Sequence, residues 1–249
     1  MFGFVFAVLA AAFVLVQAPT AVQFKLVMEA AWVGSGDKPA SIPRSMQQSL
    51  PDGSVEWDIT TNGTAIRSAL RGRYLNLPTG IIVLQQDDKS DRFVINPADR
   101  TFYTRPPEGL PADELLEDVK IGAANDSMQL AGLTAQKVII QFRRPLPAEV
   151  TKAGGPSHMQ IEIVNWCVPD LRLPRGQTTI IDRRVQTFTP RQLGSQVAKV
   201  CPVALRSSYR LPTSNPNYAI VSTINSIERV SPDKSIFEVP AGYQKTAPQ

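Results

Sequence analysis

The chain has 249 residues, 43% of them hydrophobic and 19% charged, with 21 Pro and 15 Gly. These values exclude wholesale disorder, collagen and coiled coil, and leave room for one large domain or two small ones. There is no multi-span membrane pattern. The formal charge of +4 is unevenly spread, with 14 basic and 16 acidic residues up to position 150 and 12 and 6 after it. A basic C-terminal part suits an anionic lipid or polymer, and it equally suits plain solvated surface.

Met1 to Ala21 carries no charge, and Phe2 to Val16 is an unbroken run of 15 apolar or small residues. That matches the apolar region of a secretory signal and is short for a membrane span of about 20 residues. No Lys or Arg precedes the run, and small residues follow in Gln17-Ala18-Pro19-Thr20-Ala21. The expectation is a signal peptide over 1–21, cut after Ala18 or Ala21, with a retained N-terminal anchor as the alternative. Cys167 and Cys201 are the only cysteines, 34 positions apart. In an oxidising compartment a bridge between them is worth about 3–4 kcal/mol in the loop-entropy model. Two distant cysteines and the single His158 are too few ligands for a metal centre.

From Phe24 onward the chain reads mostly as strand. Phe24, Leu26, Met28, Ala30 and Trp32 alternate with Lys25 and Glu29, and Val55, Trp57 and Ile59 alternate with Glu56, Asp58 and Thr60. Asn62-Gly63 reads as a two-residue hairpin turn into Ala65–Arg71. Gly80–Gln85 and Arg92–Asn96 flank an acidic turn at Asp87-Asp88-Lys89-Ser90-Asp91, and Asn96-Pro97-Ala98-Asp99 turns into Arg100–Thr104. Pro111–Val119 predicts a short helix, with Pro in its first turn and acids near its positive end. Strands are expected again at Gln136–Arg143, Met159–Ile163, Thr178–Asp182, Val203–Tyr209 and Tyr218–Ile227. Between them Thr189 caps a predicted helix to Lys199 on which Leu193 and Val197 share a face. Gly34–Gly53 and Pro145–Ser157 lack periodicity and read as lids, binding loops or insertions.

Few constellations suggest chemistry. The Gly-Ser-Gly at 34–36 lacks the spacing of a nucleophile elbow, and His158 falls on the polar side of its strand with Gln160 and Glu162. The Asp87–Asp91 cluster departs from a calcium loop, lacking its Gly and its distal Glu. Glu114 and Glu117 read as the exposed side of a helix. Arg143-Arg144 and Arg183-Arg184 are candidate anion contacts that read equally as strand ends. No phosphate-cradling loop, zinc pattern or nucleic-acid module is present, so no nucleic acid, metal or cofactor is expected.

The C-terminal Ser235-Ile-Phe-Glu-Val-Pro-Ala-Gly-Tyr243-Gln-Lys resembles the closing motif of a bacterial family of exported proteins related to LolA-type outer-membrane lipoprotein carriers. Four further pieces are similar to it in order: Ala131–Lys137 as a Gly-containing turn into a central strand, Asn165–Leu171 as a Trp-centred strand, Pro202–Leu205 as a strand start after the lid helix, and Ile227-Glu228-Arg229 as the strand before the closing motif. In this chain's own mechanics, Phe237 and Val239 would cap an apolar sheet and Pro240-Ala241-Gly242 would stop the strand. The resemblance, over about Val22 to Gln249, implies a mainly β (α+β) fold. It would be an open half-barrel, one curved antiparallel sheet with short lid helices, forming a single domain over 22–249. It carries no ligand-contacting residue to this chain.

Two functions follow as expectations. The first is an exported, non-enzymatic binding protein that holds a lipid or lipoprotein acyl chain in the groove. Phe24, Leu26, Met28, Trp32, Trp57 and Ile59 would line it, with Leu115, Leu193 and Val197 as lid contacts. The second is a structural or interaction module of the cell envelope, with a self-filled core and the Gly34–Gly53 loop meeting an envelope protein partner.

Overall fold

The computed structural model describes residues 21–34, 36–86, 91–106, 115–171, 189–210 and 218–248. The expected strand Thr178–Asp182, Arg183-Arg184, Asp87 and Asp88, and the start of the expected helix at 111–114 lie outside these. Among the described residues twelve strands form one sheet. In chain order they are β1 (Ala21–Trp32), β2 (Ser54–Thr61), β3 (Ile66–Arg71), β4 (Ile82–Gln85), β5 (Arg92–Asn96), β6 (Thr101–Arg105), β7 (Glu117–Leu130), β8 (Leu133–Pro145), β9 (His158–Cys167), β10 (Ala204–Arg210), β11 (Tyr218–Val230) and β12 (Gln244–Lys245). Their order in space is β12-β6-β5-β4-β3-β2-β1-β11-β10-β9-β8-β7.

Two antiparallel meanders, β1 to β6 and β7 to β11, thus meet at the β1–β11 pair, where Phe24 lies opposite Ile227 and Leu26 opposite Ile224. The sheet is open, with β7 and β12 as its ends, and it curves strongly enough for β7 to approach β11 four places away. This is the mainly β, curved open sheet expected from the sequence. One pair departs from the antiparallel rule: β12 runs parallel to β6.

The alternation explains the faces. Residues directly opposite each other in a ladder share a face, so Phe24, Ile59 and Ser68 are together on the inner face, as are Leu26, Trp57 and Leu70. Lys25, Glu56, Asp58 and Arg71 fall on the outer face, where Lys25 meets Glu56 at 2.9 Å and Arg71 pairs with Asp58. Exposed pairs of this kind add little stability. The inner face holds the core, in which the two meanders contribute to one cluster.

Several elements differ from expectation. The helix at 111–119 is absent over its described part: Leu115 and Leu116 lie in a connection, and Glu117–Val119 begin β7. β7 carries no clean alternation because it is an edge strand, with most of its side chains in solvent, irregular pairing at two places and Asp118 at φ 52. β7 and β8 join through Ala131 and Gly132, both at positive φ, as the tightest hairpins require. β8 is next to the edge, not central as the resemblance implied.

The β2–β3 connection has four residues, not two. Asn62 Oδ1 accepts from the backbone N–H groups of Thr64 and Ala65 at 3.0 and 2.7 Å, which replaces the tight two-residue turn. Both irregular stretches contain a short helix, α1 (Arg44–Ser49) and α2 (Ala148–Lys152). Thr189 does not cap: its buried hydroxyl has no partner among the described residues. A single 3-10 turn, Arg191–Leu193, leads instead into α3 (Gly194–Val200). The closing motif is not a strand end either. Lys234–Phe237 is a 3-10 turn, with the Asp233 carboxylate accepting from the Ser235 N–H at 2.8 Å. Phe237 is buried, and Ile236 and Pro240 lie over the outer side of Leu84 and Ile95.

Candidate functional site

The inner face is roofed by short pieces of chain in place of a second sheet. α3 contributes Val197, and the turn before it contributes Leu193. Both are buried in the same cluster as Phe24, Leu26, Trp57 and Ile59. The second roof piece, missed in the sequence, is α1. Met46 and the following Leu50 are 0% and 1% exposed, and Leu50 belongs to that cluster too. The loop before α1 is tied down where the Tyr218 hydroxyl donates to the Ser41 carbonyl at 3.0 Å.

A disulfide between Cys167 and Cys201 joins the end of β9 to the residue that follows α3. α3 is therefore bonded to the rim of the sheet it covers.

Of the six residues assigned to a groove, Phe24, Leu26, Trp57 and Ile59 are buried in closed packing. Met28 and Trp32 are half-buried. Met28 packs on the cluster, and Trp32 makes an edge contact with Tyr218, ring centres 5.7 Å apart. Trp57 meets Tyr74 in the same way at 5.8 Å. Leu115, assigned to the lid, is 69% exposed and lies outside any helix, so it makes no lid contact. The assignment assumed a helix over 111–119, and its described part, 115–119, is not helical.

Several cavities are lined by described residues. One of about 210 Å³ opens on the inner face at its far end, its wall mixing Leu77, Ile81 and Val94 with Asn96, Asp99 and Arg105. One of about 240 Å³ lies on the outer face beneath the closing segment, among Ile82, Leu84, Ile95, Ile236 and Pro240. A third, of about 490 Å³, is walled by Asp118, Lys120, Gln141, Arg143 and Gln160 on the outer side of β7–β9. None of the six assigned groove residues lines any of these.

A polar row crosses the inner face. Asn165 on β9, Ser207 on β10 and Ser222 on β11 lie opposite one another in register, and each is 0% exposed. Both side-chain polar atoms of Asn165 and both serine hydroxyls lack a hydrogen-bond partner among the described residues. Each such group costs about 1–3 kcal/mol when left unpaired. The sequence did hold a signal, because each residue is in phase with buried apolar neighbours: Ile163 and Cys167, Leu205, and Ile224.

His158 has partners on both sides. Its Nδ1 is 2.8 Å from the Ser157 hydroxyl and its Nε2 is 3.1 Å from Glu117. Hydroxyl, imidazole and carboxylate follow one another, yet Ser157 is exposed and Glu117 is shared with Arg143 at 3.3 Å. Arg143 also holds Asp118 at 2.8 Å, so it serves an ion-pair cluster that ties the starts of β7 and β9 together across β8. Among the described residues no group of three or more His, Cys, Asp or Glu is placed to hold a metal ion.

The architecture therefore defines a class: a mainly β protein built on one large, curved, open sheet with few helices, its concave apolar side roofed by short chain segments. No family model matches the sequence, and no curated protein does. Among solved structures the chain is similar to an uncharacterized conserved protein from Thermus thermophilus, with 8% identity, a TM-score of 0.42 and coverage of 92% of this chain and 90% of that one. It is also similar to LprF from Mycobacterium bovis, with 12% identity, a TM-score of 0.32 and coverage of 81% and 84%.

Proposed function

We propose that this is an exported, non-enzymatic binding protein that holds an acyl chain of a lipid or lipoprotein on the inner face of its sheet. The observation that carries this reading is the roof. Leu193, Val197, Met46 and Leu50, on two short helices and the turns beside them, cover an apolar sheet of twelve strands. Each of these small elements is held by two buried side chains, so displacing one costs about 3–6 kcal/mol, and the inner face is uncovered while α3 stays tethered by its disulfide. The cavity at the far end of that face is where a chain would enter. The disulfide and the apolar run at 2–16 support export, with 1–21 as the signal peptide.

Purification from a bacterial periplasm without detergent, followed by solvent extraction and lipid mass spectrometry, tests this reading. It predicts lipid in molar proportion to protein. Folded, disulfide-bonded protein with no lipid would contradict it.

One observation favours the second reading, an interaction module of the envelope. Phe24, Leu26, Trp57 and Ile59 already have packed neighbours, as a self-filled core requires. The same extraction separates the two readings, because a self-filled core carries no lipid.

A further inference from the structure

The row Asn165–Ser207–Ser222 sits between Val138 of β8 and Met28 of β1 in the same register line. On one side the next line is apolar, with Ile163, Tyr209 and Ile220 opposite one another. On the other side Leu205 and Ile224 are fully buried. Around the row the inner face is thus apolar, and the row forms a polar stripe three strands wide. At the usual strand spacing it is about 10 Å long. Four polar atoms along it face inward with no partner among the described residues.

We propose that this stripe is a subsite for the neutral linkage group of the ligand, an ester, amide or hydroxyl, with acyl chains lying on the apolar lines to either side. The proposal rests on the acyl-chain reading and gives that ligand a chemical class. Asn165 offers both donor and acceptor, and each serine hydroxyl offers both. A glyceride ester or an N-acyl amide can therefore be met on each of its polar atoms. The charged residues nearest the row on its own strands, Glu162 and Arg206, alternate onto the opposite face. A free carboxylate brought to the stripe would be buried without a counter-charge, which proteins avoid. Linked acyl chains are thereby preferred over free fatty acids.

Fluorescence titration of full-length protein, stripped of lipid on a hydrophobic resin, tests this with three probes: a pyrene-labelled diacylglycerol, pyrenyl-decane and pyrene-decanoate. The diacylglycerol should bind at least tenfold tighter than either of the others. In Ser207→Ala/Ser222→Ala and in Asn165→Leu that preference should fall to within threefold, with pyrenyl-decane affinity unchanged. The melting temperature of the ligand-free variants should equal or exceed that of the parent, because an unpaired buried polar group is removed. A melting temperature lowered by several degrees would mean the hydroxyls are already satisfied, by buried water, and would overturn the subsite. So would variants that keep the preference, or pyrene-decanoate binding as tightly as the diacylglycerol. Alkane binding without ester preference removes the subsite and leaves the acyl-chain reading standing. No binding of any probe removes both.

Discussion

Phe24 and Leu115 are both large and apolar, yet one is 1% exposed in the middle of the sheet and the other 69% exposed before β7. Phe24→Ala should cost about 3–5 kcal/mol in urea unfolding, and Leu115→Ala about 0.5 kcal/mol or less. Equal effects would mean that the inner face is not the core. An Asp at Val197, which is fully buried, should for the same reason damage folding as well as binding, so it cannot serve as a clean test of a groove. At the C-terminus, the Ser235 N–H bond holds the Asp233 carboxyl below its ordinary value of 3.8. A carboxylate so depressed stabilises the closing turn above pH 3.8 and loses that contribution as pH falls through the lower folded value. The Ser235 amide proton resonance should titrate with a midpoint below 3.8, and Asp233→Asn should abolish it. A midpoint at or above that value contradicts the bond.

Among the elements, α3 has the firmest attachment. The Cys167–Cys201 bridge closes a span of 34 residues, worth about 3–4 kcal/mol by chain entropy. Reduction should lower unfolding stability by about that amount, and amide exchange should rise first along 194–200. If exchange rises evenly over β1 and β2 as well, the bridge is not a local fastening of the roof. The strands of the first meander were legible because β1 and β2 each bury one face, so their apolar residues recur with period two. β7 was not, because an edge strand with most of its side chains in solvent has no such pattern. α1 was hidden for a different reason: with six residues it is too short for helical periodicity, and among its described side chains Met46, with the flanking Leu50, is buried. The roof over the candidate site was therefore half readable, α3 by the spacing of Leu193 and Val197 and α1 not at all. The polar row stood in plain phase with its apolar neighbours, yet phase alone does not show that Asn165, Ser207 and Ser222 are opposite one another; that depends on register across three strands.

At the scale of the molecule, the chain lays down one meander, then a second from the far edge inward, and closes the two along β1 and β11. That seam sets the strands of both meanders side by side, so the inner face runs continuously from the Tyr103 end through Phe24 and the polar row to β8. A ligand on this face would touch residues far apart in sequence, while one beneath the closing segment would touch only β3–β5 and 235–240. The direct test is a diacylglycerol with a photoreactive group in one acyl chain, crosslinked to full-length protein and mapped by peptide mass spectrometry. Binding between sheet and roof predicts crosslinks in β1, β2 and β9–β11 together with 44–50 and 193–200. Crosslinks confined to 82–95 and 235–240, or none in folded protein, would contradict it.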